Sequence, residues 1–174
     1  GEAERDSSGR DLSLSGDGSI VAIASPFNEG NGTQSGHVRI FQNVNNRWVQ
    51  VGADIDGEGA FSGAGRSVSL SRDGSTVALG AGEYPRSVEV YRNQRGVWTQ
   101  IGSDIYGIWV DRRGSEQLIN VFGRRLSLSR DGSVLALSGY ISNTGNANRS
   151  RGFTKIFKYE NNNWTQIGSD ILGE

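Results

Sequence analysis

Few residues in this chain are of a type that does chemistry, and each can be weighed on its own. There is one histidine, His37, and no cysteine. A nucleophile–histidine–acid triad needs partners in a recognisable pattern around that histidine, and none is present. A multi-histidine or thiolate zinc centre is excluded by count. Asp54, Asp56 and Glu58 stand two apart, a spacing that could hold a hard cation weakly. Only Asp54 recurs, as Asp104 and Asp170, which fits a turn or capping role better. Segments such as Gly57-Glu58-Gly59 and Gly63-Ala64-Gly65 lack the strand-to-helix context of a phosphate loop. With no motif singling out a carboxylate pair, the sequence reads as that of a non-enzyme with no cofactor. The pairing of residue types that most favours recognition is Trp with Arg. It occurs in the stretch from Ile108 to Arg113, where Trp109 precedes Arg112 and Arg113, and Arg149 and Arg151 extend the basic character later in the chain.

The elements that must position these residues are repeated. Ser13-Leu14-Ser15-Gly16-Asp17-Gly18-Ser19 returns as Ser69 to Ser75 and as Ser127 to Ser133. Asp-Gly between an alternating segment and an apolar run predicts a tight hairpin with a two-residue type I′ turn. Asp17, Asp73 and Asp131 are therefore turn formers. Gly-Arg precedes each copy, at Gly9-Arg10, Gly65-Arg66 and Gly123-Arg124, and fixes the phase. An aromatic-ended strand follows later, closing on Phe41, Tyr91 and Phe157, and a Trp stands seven residues beyond each, at Trp48, Trp98 and Trp164. Each Trp opens a fourth strand and is expected to anchor it against a neighbouring sheet, since so large a ring is seldom left unpacked.

Four antiparallel strands in a unit of some 50 to 60 residues is the size of a propeller blade. The second strands, Ile20 to Ala24, Thr76 to Gly80 and Val134 to Ser138, are apolar or small almost throughout, as a strand covered on both faces should be. The predicted class is all-β, with three four-stranded antiparallel blades forming a partial propeller or half of a head-to-tail assembly. The units are 1–56, 57–107 and 108–174 within one repeat domain. A β-trefoil, also built from three four-stranded units, is the alternative.

The run from Phe122 to Ser129, and Ala64 to Ser71 leading to Val77-Ala78-Leu79-Gly80-Ala81-Gly82, resemble the FG-GAP repeat of integrin α subunits and of many surface proteins. The resemblance implies a propeller outside the cell, serving adhesion or assembly. Repeats of that family often carry a calcium loop between their first two strands. Here Ser-x-Asp-Gly-Ser offers one carboxylate where a hard cation wants six to eight oxygens, so no metal ligand is carried over.

The connections between second and third strands, and between one unit and the next, vary in length, whereas the other two kinds do not. Ile23 to Phe41, Leu79 to Tyr91 and Leu137 to Phe157 span 18, 12 and 20 residues. Variable loops on a constant scaffold are where binding is built. The expected function is accordingly a non-catalytic interaction or scaffold module using that loop face, with a carbohydrate-binding module using exposed aromatics as the alternative. Eighteen Lys and Arg against nineteen Asp and Glu give no electrostatic footprint for nucleic acid. No apolar run approaches a membrane span. The chain begins at Gly1 and contains no Met, and so reads as a processed product or a piece. Three blades expose apolar strands at both ends, so the expected partner is protein, either further blades or a second copy, with a glycan as a further possibility. Sequons at Asn31, Asn148 and Asn163 fit a secreted or cell-surface protein.

Overall fold

The computed structural model describes residues 2–82, 86–110, 116–118, 121–142 and 150–173. Among these the secondary structure is strand and turn with no helix. Blade 1 contains β1 (Leu12–Leu14), β2 (Ile20–Ser25), β3 (His37–Val44), β4 (Arg47–Gln50) and the short β5 (Ile55–Asp56). Blade 2 repeats this with β6 (Ser67–Leu70), β7 (Thr76–Gly80), β8 (Ser87–Gln94), β9 (Val97–Gln100) and β10 (Ile105–Tyr106). A small hairpin, β11 (Ile108–Val110) with β12 (Glu116–Leu118), precedes blade 3. Blade 3 is β13 (Val121–Leu128), β14 (Val134–Ser142), β15 (Ser150–Glu160), β16 (Asn163–Gln166) and β17 (Ile171–Leu172). Each blade is an antiparallel meander of four strands. Its outer strand is broken, because the two-residue β5, β10 and β17 pair with the start of the third strand after a turn at Gly52, Gly102 and Gly168. The fourth strand that each Trp opens is thus two pieces.

The Asp-Gly hairpins form, with a different turn. Gly18, Gly74 and Gly132 have positive φ, but the aspartates before them do not. The Gly18 N–H donates to the Ser15 carbonyl at 3.0 Å, closing a four-residue turn. The Asp17 carboxylate accepts the Ser15 hydroxyl at 2.7 Å and the Ser19 N–H at 3.0 Å, satisfying the loop's own donors in an Asx arrangement. The left-handed pairs sit instead between third and fourth strands, at Asn45-Asn46, Arg95-Gly96 and Asn161-Asn162. This is the type I′ geometry, and Asn tolerates it better than most side chains.

The three sheets stack face to face as blades of a β-propeller, and two apolar layers lie between them. One joins Ala22, Ala24, Val38 and Ile40 of blade 1 to Val68, Leu70, Val77 and Leu79 of blade 2. The other joins Ala78, Val88, Val90 and Ile101 of blade 2 to Phe122, Leu135, Leu137 and Trp164 of blade 3. Alternation along β7 sends Val77 and Leu79 to one layer and Ala78 to the other. All five β7 residues are buried, and this explains the continuously apolar run. No trefoil barrel is present in the described residues.

Candidate functional site

Each blade delivers one Gly-Arg pair to the same end of the stack. Gly9, Gly65 and Gly123 have φ of 82°, 86° and 65°, a region open to glycine and costly for other residues. Gly65 and Gly123 also sit hard against the preceding blade. A Cβ at Gly65 would lie 2.9 Å from Val38 Cγ2, and one at Gly123 would lie 2.5 Å from Val88 Cγ2. The glycine seats one blade on the next, and the arginine that follows is thereby placed.

Arg10, Arg66 and Arg124 line one cavity of about 500 Å³ together with Arg86 and Arg125, backed by Phe122, Tyr140, Ala81, Gly82 and Gly123. The second-to-third strand connections contribute Ala81, Gly82 and Arg86, while the starts of the first strands contribute the repeated arginines. The Arg10 and Arg66 guanidinium carbons each lie 5.8 Å from the centroid of Phe27, so one ring braces two cations. The Arg66 stem crosses Gly82, where a Cβ would come within 2.4 Å of Nε and 2.7 Å of Cγ. Among the described residues no carboxylate lines this cavity. Guanidinium stays charged at any ordinary pH. Five of them in one recess focus positive potential, and their forked donors match phosphate and carboxylate oxygens two at a time.

A second polar cluster lies on blade 1. The Glu2, His37 and Asp54 ligand atoms fall within 4.8 Å of one another, with His37 Nδ1 3.4 Å from Asp54 Oδ2. His37 is 1% exposed, and its Nε2 has no hydrogen-bond partner among the described residues. Arg39 Nη1 already sits 3.1 Å from Glu2 Oε1, supplying the positive charge that a cation would bring. Asp56 faces His37 across the β3–β5 pairing. Burial and the neighbouring Asp54 charge hold its carboxyl above the usual range. Glu58 does not join the cluster.

The sequence-predicted residues are dispersed. Asp17, Asp73 and Asp131 close turns, as described. Trp98 and Trp164 donate their indole N–H to the Val51 and Ile101 carbonyls of the preceding blade, at 2.8 and 2.9 Å. Trp48 makes no such bond among the described residues, which place no blade before its own, and is 49% exposed. Trp109 lies on β11, paired with Gln117. Arg151 is exposed, and its Nε donates to the Gly173 carbonyl at 3.1 Å. Arg112, Arg113 and Arg149 lie outside the described residues. The cavity is built on none of these. Its repeated arginines were visible in the sequence as phase markers, and the available signal was one Arg per repeat, always after Gly.

No protein-family model matches the chain, and no curated protein matches its sequence. Solved structures do match. One is a candidate 6-phosphogluconolactonase from Bacteroides fragilis NCTC 9343, at a TM-score of 0.58 and 16% identity over 92% of this chain and 38% of that one. Another is a candidate 6-phosphogluconolactonase from Bacteroides uniformis ATCC 8492, at 0.56 and 15% identity over 92% of this chain and 39% of that one. The chain thus spans about two fifths of the length of each. The likeness is one of fold. It nevertheless corrects the function expected from sequence: the neighbours are named as enzymes, so the non-catalytic adhesion or scaffold role falls, and with it the lectin-like alternative. The same names lean against a non-enzyme.

Proposed function

We propose that the arginine cavity binds a small polyanionic metabolite, with a phosphorylated sugar acid or its lactone as the chemical class. The observation that carries this reading is the meeting of Arg10, Arg66, Arg86, Arg124 and Arg125 around about 500 Å³. A phosphate and a carboxyl at opposite ends of a six-carbon chain would each engage a guanidinium fork. Phe122 and Tyr140 offer an apolar backing for the carbon skeleton.

The names of the similar structures add a reaction class to this proposal. In lactone hydrolysis a water oxygen adds to the carbonyl carbon and the charge moves to the carbonyl oxygen. The ring C–O bond then breaks, and the departing alkoxide takes the proton that the water gives up. A guanidinium beside the developing oxyanion is the contribution these residues can make, worth about 10²–10³ in rate for one well-placed donor. The FG-GAP kinship of the repeat is proposed separately, on the Phe122-Gly123 and Gly65-Arg66 phrases alone, and adds nothing to the ligand.

Calorimetric titration with 6-phosphogluconate, gluconate and inorganic phosphate tests the reading. The phosphorylated acid should bind at least tenfold more tightly than gluconate, and Arg66→Ala and Arg124→Ala should each lose at least tenfold while keeping the far-ultraviolet dichroism of the parent. Equal binding of the two acids, or no change in the variants, would overturn it.

A further inference from the structure

The arginines of the cavity are not all held alike. Arg10 and Arg66 belong to different blades, yet both meet the ring of Phe27, each at 5.8 Å from its centroid. The other cation–ring contacts among the described residues are one to one, as for Arg39 on Phe41, Arg92 on Tyr159 and Lys155 on Phe153. The two arginines are also fixed from the backbone outward. The Arg10 N–H donates to the Ser7 carbonyl at 3.0 Å, and the Gly65 and Arg66 N–H groups share the Gly80 carbonyl at 3.2 and 3.0 Å. Two successive donors on one carbonyl, the first a glycine at positive φ, form a β-bulge, which re-aims the side chain that follows.

Phe27 itself is firmly seated. It stands in the connection from β2 to β3, directly after the fully buried Pro26. Its N–H donates to the Asp6 carbonyl at 3.3 Å, and the Asn28 N–H closes a turn on the Ser25 carbonyl at 3.1 Å. Asp6 is clamped in turn. Its carboxylate accepts the Glu2 and Ala3 N–H groups at 3.0 Å each and the Asn28 side-chain amide at 3.3 Å, and both Asp6 and Asn28 are buried. Phe27 belongs to neither apolar layer between the blades, so blade stacking does not account for a ring held this way. Its partners are the two guanidinium groups.

We infer that Arg10 and Arg66 form the phosphate end of the cavity, and that Phe27 is the positioning residue that sets their spacing. The inference rests on the polyanion reading above and assigns the two ends of that ligand. Two like charges brought to one ring repel. The negative face of the ring offsets that repulsion and fixes where the forks point. A phosphate monoester offers up to two charges and three strong acceptor oxygens, enough for a fork from each arginine. One fork already fills both oxygens of a carboxylate. A pair spaced in advance therefore favours the dianion, and the carboxyl end falls to the arginines of blade 3.

The test divides the ligand. Glucose 6-phosphate carries the phosphate without the carboxyl, and gluconate carries the carboxyl without the phosphate. In calorimetric titrations Phe27→Leu should weaken glucose 6-phosphate and 6-phosphogluconate by a common factor, about tenfold, and leave gluconate within about twofold. Phe27→Trp, which returns a ring, should recover most of the loss. Arg10→Ala should follow Phe27→Leu, whereas Arg124→Ala should fall mainly on gluconate. The affinity of the parent for glucose 6-phosphate should rise as the ester loses its second proton, at a pH of about 6. Phe27→Leu should flatten that rise, which a general loosening of the fold would not do. No loss in Phe27→Leu, or a loss shared equally with gluconate, would overturn the assignment, and a parent that still prefers 6-phosphogluconate to gluconate would leave the cavity reading standing. A parent that binds those two acids equally would overturn both.

Discussion

Replacing the three repeat tryptophans one at a time measures how much of the stability comes from stacking blades. Trp164 is 7% exposed. Its ring lies 5.2 Å from Tyr159, and its N–H is satisfied by Ile101 at 2.9 Å. Trp164→Ala removes the packing and opens a cavity between blades 2 and 3, at a cost of about 3–5 kcal/mol. Trp164→Phe keeps most of the ring and takes away the hydrogen bond, which is worth about 1 kcal/mol net. Trp48→Ala, with half its ring in water and no acceptor among the described residues, should cost less than about 1 kcal/mol, in line with exposed sites generally. Trp98, bonded to Val51 at 2.8 Å and partly buried, should fall between. Urea unfolding followed by fluorescence reads these differences directly. With a slope near 2 kcal/mol/M, Trp164→Ala moves the midpoint down by about 2 M, whereas Trp48→Ala moves it by less than about 0.5 M. If Trp48→Ala destabilised the chain as much as Trp164→Ala, the rings would be serving their own blades, and the account of stacking as their purpose would fail.

Gly82→Val places a branched side chain where the Arg66 stem runs, and should weaken 6-phosphogluconate binding about tenfold while shifting the melting temperature by only a few degrees; a calorimetric titration showing unchanged affinity would mean that the path of Arg66 does not matter. Glu89 is 4% exposed, and burial pushes its carboxyl above the usual range despite the Tyr91 hydroxyl donated at 2.8 Å. The folded state therefore holds this proton more tightly, and stability falls as pH rises above the unfolded carboxyl value. Glu89→Gln removes that fall, so its advantage over the parent should grow between pH 4 and pH 7.5 in urea titrations; a gap independent of pH would refute the burial argument. The backbone N–H of Ser19 and the hydroxyls of Ser15 and Ser19 hold the Asp17 carboxyl down at about 2. Its contribution is present above the ordinary aspartate range and is lost as pH falls toward 2. Asp17→Asn should flatten the acid limb of the melting curve, and an unaltered limb would count against the turn as a charge-assisted element.

The blades were legible because repetition prints the same physical constraint three times. Asp17, Asp73 and Asp131 mark hairpins whatever their exact turn, and Trp48, Trp98 and Trp164 fix the phase of the outer strand. The turn type was misread because Asp-Gly in a two-residue loop and Asp-Gly at the end of a four-residue loop look alike in sequence. Only the Ser15 and Ser19 contacts to Asp17 decide between them. The true type I′ pairs, Asn45-Asn46 and Asn161-Asn162, went unmarked because no glycine accompanies them. The pairing of His37 with Asp54 was not legible either. It arises from the way the short β5 folds back on β3, a tertiary event with no local signature. The arginine cavity was half legible: its residues were counted, but convergence depends on how blades stack, and a single repeat does not show that.

A common constraint links the stacking and the cavity. The glycine of each Gly-Arg pair must lack a side chain so that one blade can rest on the third strand of the blade before it, at Val38 for Gly65 and at Val88 for Gly123. Because that contact fixes the start of the next first strand, it also fixes where the adjoining arginine emerges. Blade packing and charge placement are therefore not separable at this dipeptide. Changing Gly65 should disturb ligand binding through Arg66 as well as stability. Changing Gly9, where a Cβ would meet nothing within 4 Å, should cost little beyond its left-handed backbone. The difference between those two glycines separates the local cost of a positive φ, about 1 kcal/mol, from the cost of a lost interface. No change at the serines or tryptophans isolates that quantity, because each of them alters packing within its own blade as well as against its neighbour.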